Sequence, residues 1–544
     1  MTRVNTRWPI IVVLLATSVV YFHALGTAPA YIGGDEARFA TGAWSLATTG
    51  RDLAGNRLPL FFHMPETLAS GDGGARWYQP LLFYAMAVGF RIAPFTEQSA
   101  RMPSVVIGIL DVFLIYGAAC RVLGDRRPAI LAALLLAFSP AHMIFSRQAL
   151  DYVWPVPFAL AWLWCLTASL QTGSRWLAFA AGAILGVGFY SYIASWVTMP
   201  LLLLLTWIAQ RRAAANAAPQ IIAATLGFVC PVLVAAVWLG FHPEMWRDTI
   251  GRYNVYDARH LSMLQGLKAA FARNDLFARV SVYWDYFNPA YLFFAGGSNL
   301  TMATRKVGVF LLPLSAFLIC GLKECWRRKS SAMGIIVLGG LAVAPVPATL
   351  LGERYAIQRE LVVLPFATLI ATLGAVFLLR HQLRAVRLAG VFLLLTVPVQ
   401  FAYFCQDYFN DYRIRSAYWF DPVNFRGVAE HLIAASSKSG APIYLSEDLD
   451  DVAARWRFYL VKHQRPDLLQ RTSLFAAANL DVRSVTPGSL LVLYPNDPRI
   501  PALLGPEKCT VEASINDIAG ARSAIILQRA PAVQEARPQS AGSQ

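Results

Sequence analysis

Apolar runs of about 20 residues, the length that carries a helix across a hydrocarbon layer of roughly 30 Å, recur from Pro9 to Phe404 and then stop. The pattern predicts eleven spans, near 9–28, 101–121, 127–145, 151–170, 176–193, 195–210, 219–241, 305–322, 331–351, 360–379 and 386–404. Basic residues punctuate their ends: Arg3 and Arg7 before the first, then Arg121/Arg126/Arg127, Arg175, Arg211/Arg212, Lys323/Arg327/Arg328/Lys329 and Arg380/Arg384/Arg387. With eleven crossings these clusters share one side, and the positive-inside rule makes that side the cytoplasm. The apolar stretch Pro80 to Ala93 is short, holds Gly89 and Arg91, and ends at Pro94; counted as a crossing it would invert the parity. It is expected to lie in, or dip into, the outer interface.

The expected fold class is therefore an α-helical polytopic membrane domain, residues 1–404, followed by a small soluble domain, 405–530, and a disordered Pro/Gln/Ser/Ala/Gly tail, 531–544. The soluble part alternates helix-like stretches (Phe425 to Ser436, Leu449 to His463) with strand-like ones (Pro442 to Ser446, Ser489 to Tyr494, Arg522 to Gln528), which reads as α/β. The loop 29–100, the turn from His142 to Asp151, the loop 242–304, the turn from Gly352 to Arg359 and the C-terminal domain all fall on the outer face. Composition agrees: 544 residues, 56% hydrophobic, 15% charged, with a mean hydropathy of +0.47, carry more apolar surface than a soluble domain can cover. The net charge of +15 follows topology and gathers on no single tract, so nucleic acid is not an expected partner. Seven cysteines stand singly with no metal-site spacing, and the basic, apolar N-terminus reads as a retained first span rather than a cleaved signal.

Candidate chemistry starts with Asp35-Glu36 in Tyr31-Ile-Gly-Gly-Asp-Glu-Ala-Arg-Phe-Ala40. Carboxylates at the mouth of a membrane domain are costly to place, which points to catalysis; the same pair also suits a helix N-terminus after Gly33-Gly34. Adjacent helical residues do not share a face, so one of the two is expected to touch a substrate, and Asp35 is the choice. Arg101, Arg147 and Arg359, with Arg354 behind them, are candidates for binding phosphate, because the guanidinium fork matches phosphate oxygens in pairs. Each is equally suited to anchoring at an interface, and Arg147 can pair with Asp151 four residues on. His63, His142 and His242 read as structural. The aromatic groups Tyr283-Trp284-Asp-Tyr286-Phe287 and Tyr291-Leu-Phe293-Phe294 suit sugar stacking, isoprenoid contact or an interfacial belt.

The block Gly34-Asp-Glu-Ala-Arg-Phe-Ala40, then Trp77-Tyr-Gln-Pro80, Glu97-Gln-Ser-Ala-Arg-Met-Pro-Ser104 and Ser146-Arg-Gln-Ala-Leu-Asp151 resembles the polyprenyl-phosphate-dependent glycosyltransferases of the protein O-mannosyltransferase and aminoarabinose transferase superfamily, integral-membrane enzymes of the GT-C fold. The resemblance continues through Phe287-Asn-Pro-Ala-Tyr-Leu-Phe-Phe-Ala-Gly296 and Ala344-Pro-Val-Pro347, followed by Arg359. It implies transfer of a sugar from a polyprenyl (undecaprenyl) phosphate carrier to a lipid, glycan or protein acceptor outside the cytoplasmic membrane, with inversion at the anomeric carbon. It implies that Asp35 activates the acceptor, with Glu36 as its neighbour, Asp151 as a second acidic position and Arg101 as an active-site residue. Tyr78 and Gln79 fall at substrate-binding positions, and here the chain departs from the pattern: members often carry Lys-Pro where Gln79-Pro80 stands, so phosphate binding falls to arginines or the donor is held differently.

A glycosyl phosphate already contains its leaving group, so the reaction needs a base for the acceptor hydroxyl and cations for the departing phosphate. No cofactor is called for, and a divalent cation at the carboxylates stays open. The reading from another class is a non-enzymatic transporter, flippase or assembly protein for lipid-linked glycans. A transporter places charges midway along its spans, whereas these are expected to gather at the outer ends.

Overall fold

The computed structural model describes residues 8–64, 76–253, 261–270, 273–476 and 485–531. The N-terminal arginines Arg3 and Arg7, and almost all of the tail expected to be disordered, lie outside the described residues. The chain begins with α1 (Trp8–Phe22) and α2 (Gly34–Thr49), then an antiparallel ribbon of β1 (Phe62–Met64) and β2 (Arg76–Tyr78), and α3 (Pro80–Phe90). There follow α4 (Glu97–Leu123), α5 (Arg126–Ala137), α6 (Pro140–Ser146), α7 (Pro155–Thr172), α8 (Arg175–Gly188), α9 (Ser195–Ala213) and α10 (Ala218–Phe241). Local chemistry sets several starts. Thr96, Asp125, Ser139 and Ser174 each accept a backbone N–H from the first turn of α4, α5, α6 and α8, and prolines open α3, α6 and α7.

The loop after α10 holds α11 (Pro243–Arg252), α12 (Met263–Ala270), α13 (Arg273–Asp285) and a single π-helical turn, Tyr291–Ala295. Then come α14 (Pro313–Arg327), α15 (Ala332–Val343), α16 (Val346–Leu351), a 3-10 turn at Ile357–Arg359, α17 (Val363–Leu379) and α18 (Arg384–Phe409). Each expected apolar segment overlaps one of these helices or a consecutive pair. Among the described residues, four segments are long and apolar enough to cross a membrane: Glu97–Leu123, Ala218–Phe241, Ala332–Leu351 and Arg384–Phe409; the pair α5–α6, bent by 62°, makes up to five. The 11 residues of α3 span only about 16 Å at 1.5 Å per residue, too short to cross.

The structure corrects one expected start by several residues. The segment expected at 305–322 becomes helical only at Pro313, because its leading backbone is bonded elsewhere: the Val309 carbonyl accepts from Ala141 N–H (3.4 Å) and Ser139 Oγ (3.1 Å), and Phe310 N–H donates to Leu292 O (2.9 Å). These bonds also brace the α5–α6 bend, where Pro140 has no N–H to offer.

Helices α8 and α10 approach closely through small residues. A Cβ at Gly182 would stand 1.9 Å from Ala224 O, and one at Gly227 2.1 Å from Phe179 O. Small residues at such crossings are how helices gain contact where lipid supplies no hydrophobic drive. Gly182→Leu is therefore expected to push the pair apart at a cost of about 1–3 kcal/mol, read as a lowered thermal midpoint in detergent.

The chain divides into two compact units. Among the described residues, one comprises 8–29, 42–64 and 76–419, and the other 30–41 and 420–531. The division by contacts falls near 419 rather than 404, and it groups residues 30–41, with the acidic motif, with the C-terminal stretch. Helix α18 runs on to Phe409 and is followed by α19 (Asp411–Arg415), because Asp407 pairs with Lys306 (2.6 Å) and Arg415 (2.9 Å) and so ties this stretch to the helical unit.

The second unit is reached through α20 (Ala417–Phe420) and contains α21 (Phe425–Ser439), β3 (Ile443–Ser446), α22 (Val452–Lys462), β4 (Thr472–Phe475), β5 (Leu490–Leu493), α23 (Ile500–Leu503), β6 (Cys509–Asn516) and β7 (Arg522–Arg529). The strands form one sheet in the order β4-β3-β5-β7-β6, parallel around β3 and antiparallel at β5–β7 and β7–β6. Every residue of β5 is buried, as a central strand requires. Phe425 and Trp456 meet edge-on between the helices, with ring centroids 6.3 Å apart.

Candidate active site

The sequence-predicted residues fall in both units. In the smaller one, Gly33-Gly34 opens α2. Glu36 reaches back so that its Oε2 accepts from Gly33 N–H at 2.9 Å, and its side chain is buried, 1% exposed. This is the carboxylate half of a helix cap, favoured by the unpaired N–H groups and the dipole at the N-terminus. Asp35, one position earlier, turns to a different face: it is 39% exposed and accepts from Arg38 Nη1 at 2.9 Å.

Arg38 also contacts Asp451, which precedes α22 with a left-handed backbone (φ 47°). Asp451 packs so tightly on α2 that a Cβ at Gly34 would fall 1.6 Å from its Oδ2 and 2.5 Å from its own Cβ. Burial pushes the Asp451 carboxyl up, with Arg38 and then Arg455 opposing. Arg455 is fully buried and donates to Phe420 O (2.7 Å) and Asp450 Oδ2 (3.1 Å), with Asp421 at 3.8 Å. Asp421 in turn accepts from Val423 N–H (3.1 Å) and Phe425 N–H (2.6 Å). The acidic motif thus rests on a layer of alternating charges, Asp35, Arg38, Asp451 and Arg455.

In the larger unit, Arg101 and Arg147 are brought together on the chain leaving α1. Arg101 Nη1 donates to Leu25 O (3.1 Å) and Pro29 O (3.0 Å); Arg147 donates to the Tyr21 carbonyl and to Ala28 O (2.8 Å), with its guanidinium over the Phe409 ring at 5.0 Å. Both are fully buried. The alternative of an Arg147–Asp151 ion pair is overturned, because carbonyls that end α1 and its following turn capture the guanidinium.

Arg359 holds a different environment. Its Nε and Nη2 grip Glu353 at 2.6 and 2.8 Å, Nη1 reaches the Tyr192 hydroxyl at 3.4 Å, and the guanidinium stacks over Tyr253 at 4.9 Å. Asp151 is close enough to act electrostatically on the same Tyr192 hydroxyl, and the Tyr152 and Tyr192 rings lie 5.3 Å apart. Asp151, Tyr192, Arg359 and Glu353 form one polar, tyrosine-walled cluster. Beside it Glu360, which the sequence pattern does not single out, is buried against the Tyr291 hydroxyl. Tyr286 donates to Glu353 O, so Tyr286 and Tyr291 build this loop, whereas Trp284 and Phe294 face outward. Arg354 pairs with Asp285 at 3.3 Å.

Tyr78 ends β2, paired with Phe62, and Gln79 caps α3. The Gln79 side chain is 1% exposed, and neither its Oε1 nor its Nε2 has a hydrogen-bond partner among the described residues. An unsatisfied buried amide costs about 1–3 kcal/mol. Behind it Trp77 donates to Asp248 Oδ2 (2.9 Å) and packs on Trp238 (5.6 Å) and His63 (4.6 Å); His242 stacks on Trp238 and meets Glu244 at 3.0 Å. This aromatic wall carries no periodic signal, which is why sequence alone missed it.

Asp111 corrects a further expectation, that charges gather at the outer ends. It is buried midway along α4, where its Oδ2 meets His142 Nε2 at 3.2 Å while His142 Nδ1 meets the Tyr21 hydroxyl at 2.8 Å. Pairing within the bundle is what makes a carboxylate tolerable there. Among the described residues no three His, Cys, Asp or Glu side chains converge as metal ligands.

The model of the dolichyl-phosphate-mannose-protein mannosyltransferase family matches residues 78–238, a segment that includes Tyr78, Gln79, Arg101, Arg147 and Asp151. The fold is similar to that of ArnT from Cupriavidus metallidurans bound to undecaprenyl phosphate, with 15% identity, 99% of this chain and 100% of that chain covered, and a TM-score of 0.53. The same protein in the apo state gives 14% identity, 95% and 97% coverage, and a TM-score of 0.54. AglB, the archaeal oligosaccharyltransferase from Archaeoglobus fulgidus in complex with an inhibitory peptide and a dolichol-phosphate, gives 13%, 84% and 64%, and 0.51. No curated protein matches. A segment of the chain thus matches a glycosyltransferase family's model, and the whole is a multi-pass membrane protein whose fold is similar to those of ArnT and AglB.

Proposed function

We propose that this enzyme transfers a sugar from a polyprenyl phosphate carrier to an acceptor hydroxyl at the outer face of the cytoplasmic membrane, with eleven crossings and a cytoplasmic N-terminus. The acceptor O–H gives its proton to Asp35 as its oxygen attacks the anomeric carbon; the bond from that carbon to the carrier phosphate breaks on the opposite side, and the electron pair leaves with the phosphate. The configuration inverts. The observation that carries the reading is the divided placement of two adjacent carboxylates: Glu36 caps the helix from a buried position, while the Asp35 side chain is 39% exposed beside Arg38.

Arg359 and Gln79 meet the carrier phosphate in this reading. Arg359 can exchange part of its grip on Glu353 for phosphate oxygens, and the Gln79 amide N–H₂ supplies the neutral donor where relatives carry a cation. Arg101 and Arg147 hold the chain after α1, and Asp151 helps orient Tyr192. Arg359→Lys keeps the charge but loses the fork, and is expected to raise the donor KM about tenfold, measured by carrier titration at saturating acceptor.

The activity is tested with purified wild type and a panel of polyprenyl-phosphate sugars in a membrane-lipid extract, following released polyprenyl phosphate and mass gain on the acceptor. Release with one donor class establishes the reaction and the sugar. Transport of intact donor across vesicles without release would replace transfer by flipping.

A further inference from the structure

Where the basic clusters gather at one end of the helical unit, the last turn of α17, the turn to α18 and the end of α14 enclose a groove of about 480 Å³. Its rim carries two guanidinium groups, Arg328 and Arg380, with His381 beside them, against one acid, Glu324. Glu324 already pairs with Arg327 at 3.0 Å, Arg380 reaches Asp125 only at 3.5 Å, and Arg328 forms no ion pair among the described residues. The wall is apolar: Leu373, Val376 and Phe377 precede Arg380 at spacings of seven, four and three, so they form one stripe along α17 leading away from the charges.

Two features put this groove at the surface of a bilayer. Trp326, exposed in the last turn of α14, has Lys329 over its ring at 4.2 Å, a pairing suited to headgroup depth. Beside the groove, Leu388, Phe392, Leu395 and Val399 are exposed along one face of α18 at spacings of three and four. A soluble phosphate would meet the rim but leave the stripe without a partner.

We propose that the groove is a binding site for an anionic glycerophospholipid, its phosphate held by Arg328 and Arg380 with His381 beside them, and one acyl chain laid on Leu373, Val376 and Phe377. The site is separate from the residues assigned to transfer and does not depend on that assignment. The side chains would not serve a zwitterionic lipid equally, because a choline or ethanolamine cation would sit among the guanidinium groups.

The test is native mass spectrometry of the full-length protein, delipidated in detergent and re-supplied with phosphatidylglycerol, phosphatidylcholine or inorganic phosphate. One phosphatidylglycerol is expected to be retained in preference to phosphatidylcholine, with affinity falling about fivefold for each of Arg328→Gln and Arg380→Gln. Glu324→Gln is expected to strengthen retention, a gain that misfolding cannot mimic. Equal retention of both lipids, no effect of any of the three substitutions, or displacement of the lipid by millimolar inorganic phosphate would overturn the proposal.

Discussion

Asp35→Asn is expected to lower sugar transfer by about 10²–10⁴-fold, the usual contribution of a positioned general base, in a protein that still folds and still binds its carrier. Asn is close to Asp in shape, and its carbonyl oxygen can accept the Arg38 bond that Asp35 Oδ1 now accepts at 2.9 Å, so the change removes proton affinity while keeping that bond. Glu36→Gln is the matched control. Its amide oxygen can still cap Gly33 N–H, and because Glu36 is buried in the cap it has no acceptor to activate, so activity should stay within about tenfold. The measurement is single-turnover release of polyprenyl phosphate with donor in excess, alongside donor affinity. A loss confined to the chemical step in Asp35→Asn, with unchanged affinity, supports the assignment; activity within threefold of wild type, or a larger loss in Glu36→Gln, would move the base elsewhere.

Arg455→Leu is expected to destabilise the smaller unit by about 3–5 kcal/mol, enough to expose it to proteolysis while the helical unit stays intact. Leucine keeps much of the packing volume, but Asp421 is fully buried and loses the charge that opposes its desolvation, and the Phe420 carbonyl loses a donor. The sign of the pH effect follows. Burial already raises Asp421 and Asp451, and removing Arg455 raises them further, so the folded variant binds more protons than its unfolded chain in the window above the ordinary Asp value of about 4. Its stability therefore increases as pH falls through that window, and its deficit against wild type shrinks. Thermal unfolding with limited proteolysis at pH 7 and pH 5 measures both effects; a deficit that stays the same on acidification would mean that Arg455 acts by packing alone.

The two variants separate chemistry from support within one motif. Asp35 is exposed on a helix start whose position depends on Gly34 lying against Asp451, and Asp451 is held through Arg38 and Arg455. Loss of Arg455 is therefore expected to lower transfer as well, but together with stability, whereas Asp35→Asn lowers it alone.

Most of the helical unit was legible because its signals are local. An apolar run longer than a turn must be helical where no water can satisfy its backbone, and caps such as Thr96 and Asp125 or openings such as Pro155 mark ends within a few residues. In the smaller unit, β3, β5 and β7 show as apolar runs. The edge strand β6, mostly exposed, and the short β4 do not, because a strand without a buried face has no hydrophobic alternation to read.

Sequence by itself determined that this chain is a multi-crossing helical protein with a stretch of different character at its C-terminus, and it singled out Asp35-Glu36 as the pair to examine. Those conclusions rest on composition, period and adjacency, which need no partner. Only the tertiary structure decided which carboxylate caps the helix and which stays accessible, that residues 30–41 belong with the C-terminal unit, and that Arg101 and Arg147 grip backbone carbonyls while Arg359 faces a tyrosine-walled cluster. A guanidinium reads the same in sequence whether its partner is a phosphate, a carboxylate or a carbonyl, because that choice is made by groups far along the chain that folding brings within about 3 Å. Asp111 was hidden for the same reason: its partners His142 and Tyr21 come from other helices, and pairing with them is what lets a carboxylate rest inside the bundle.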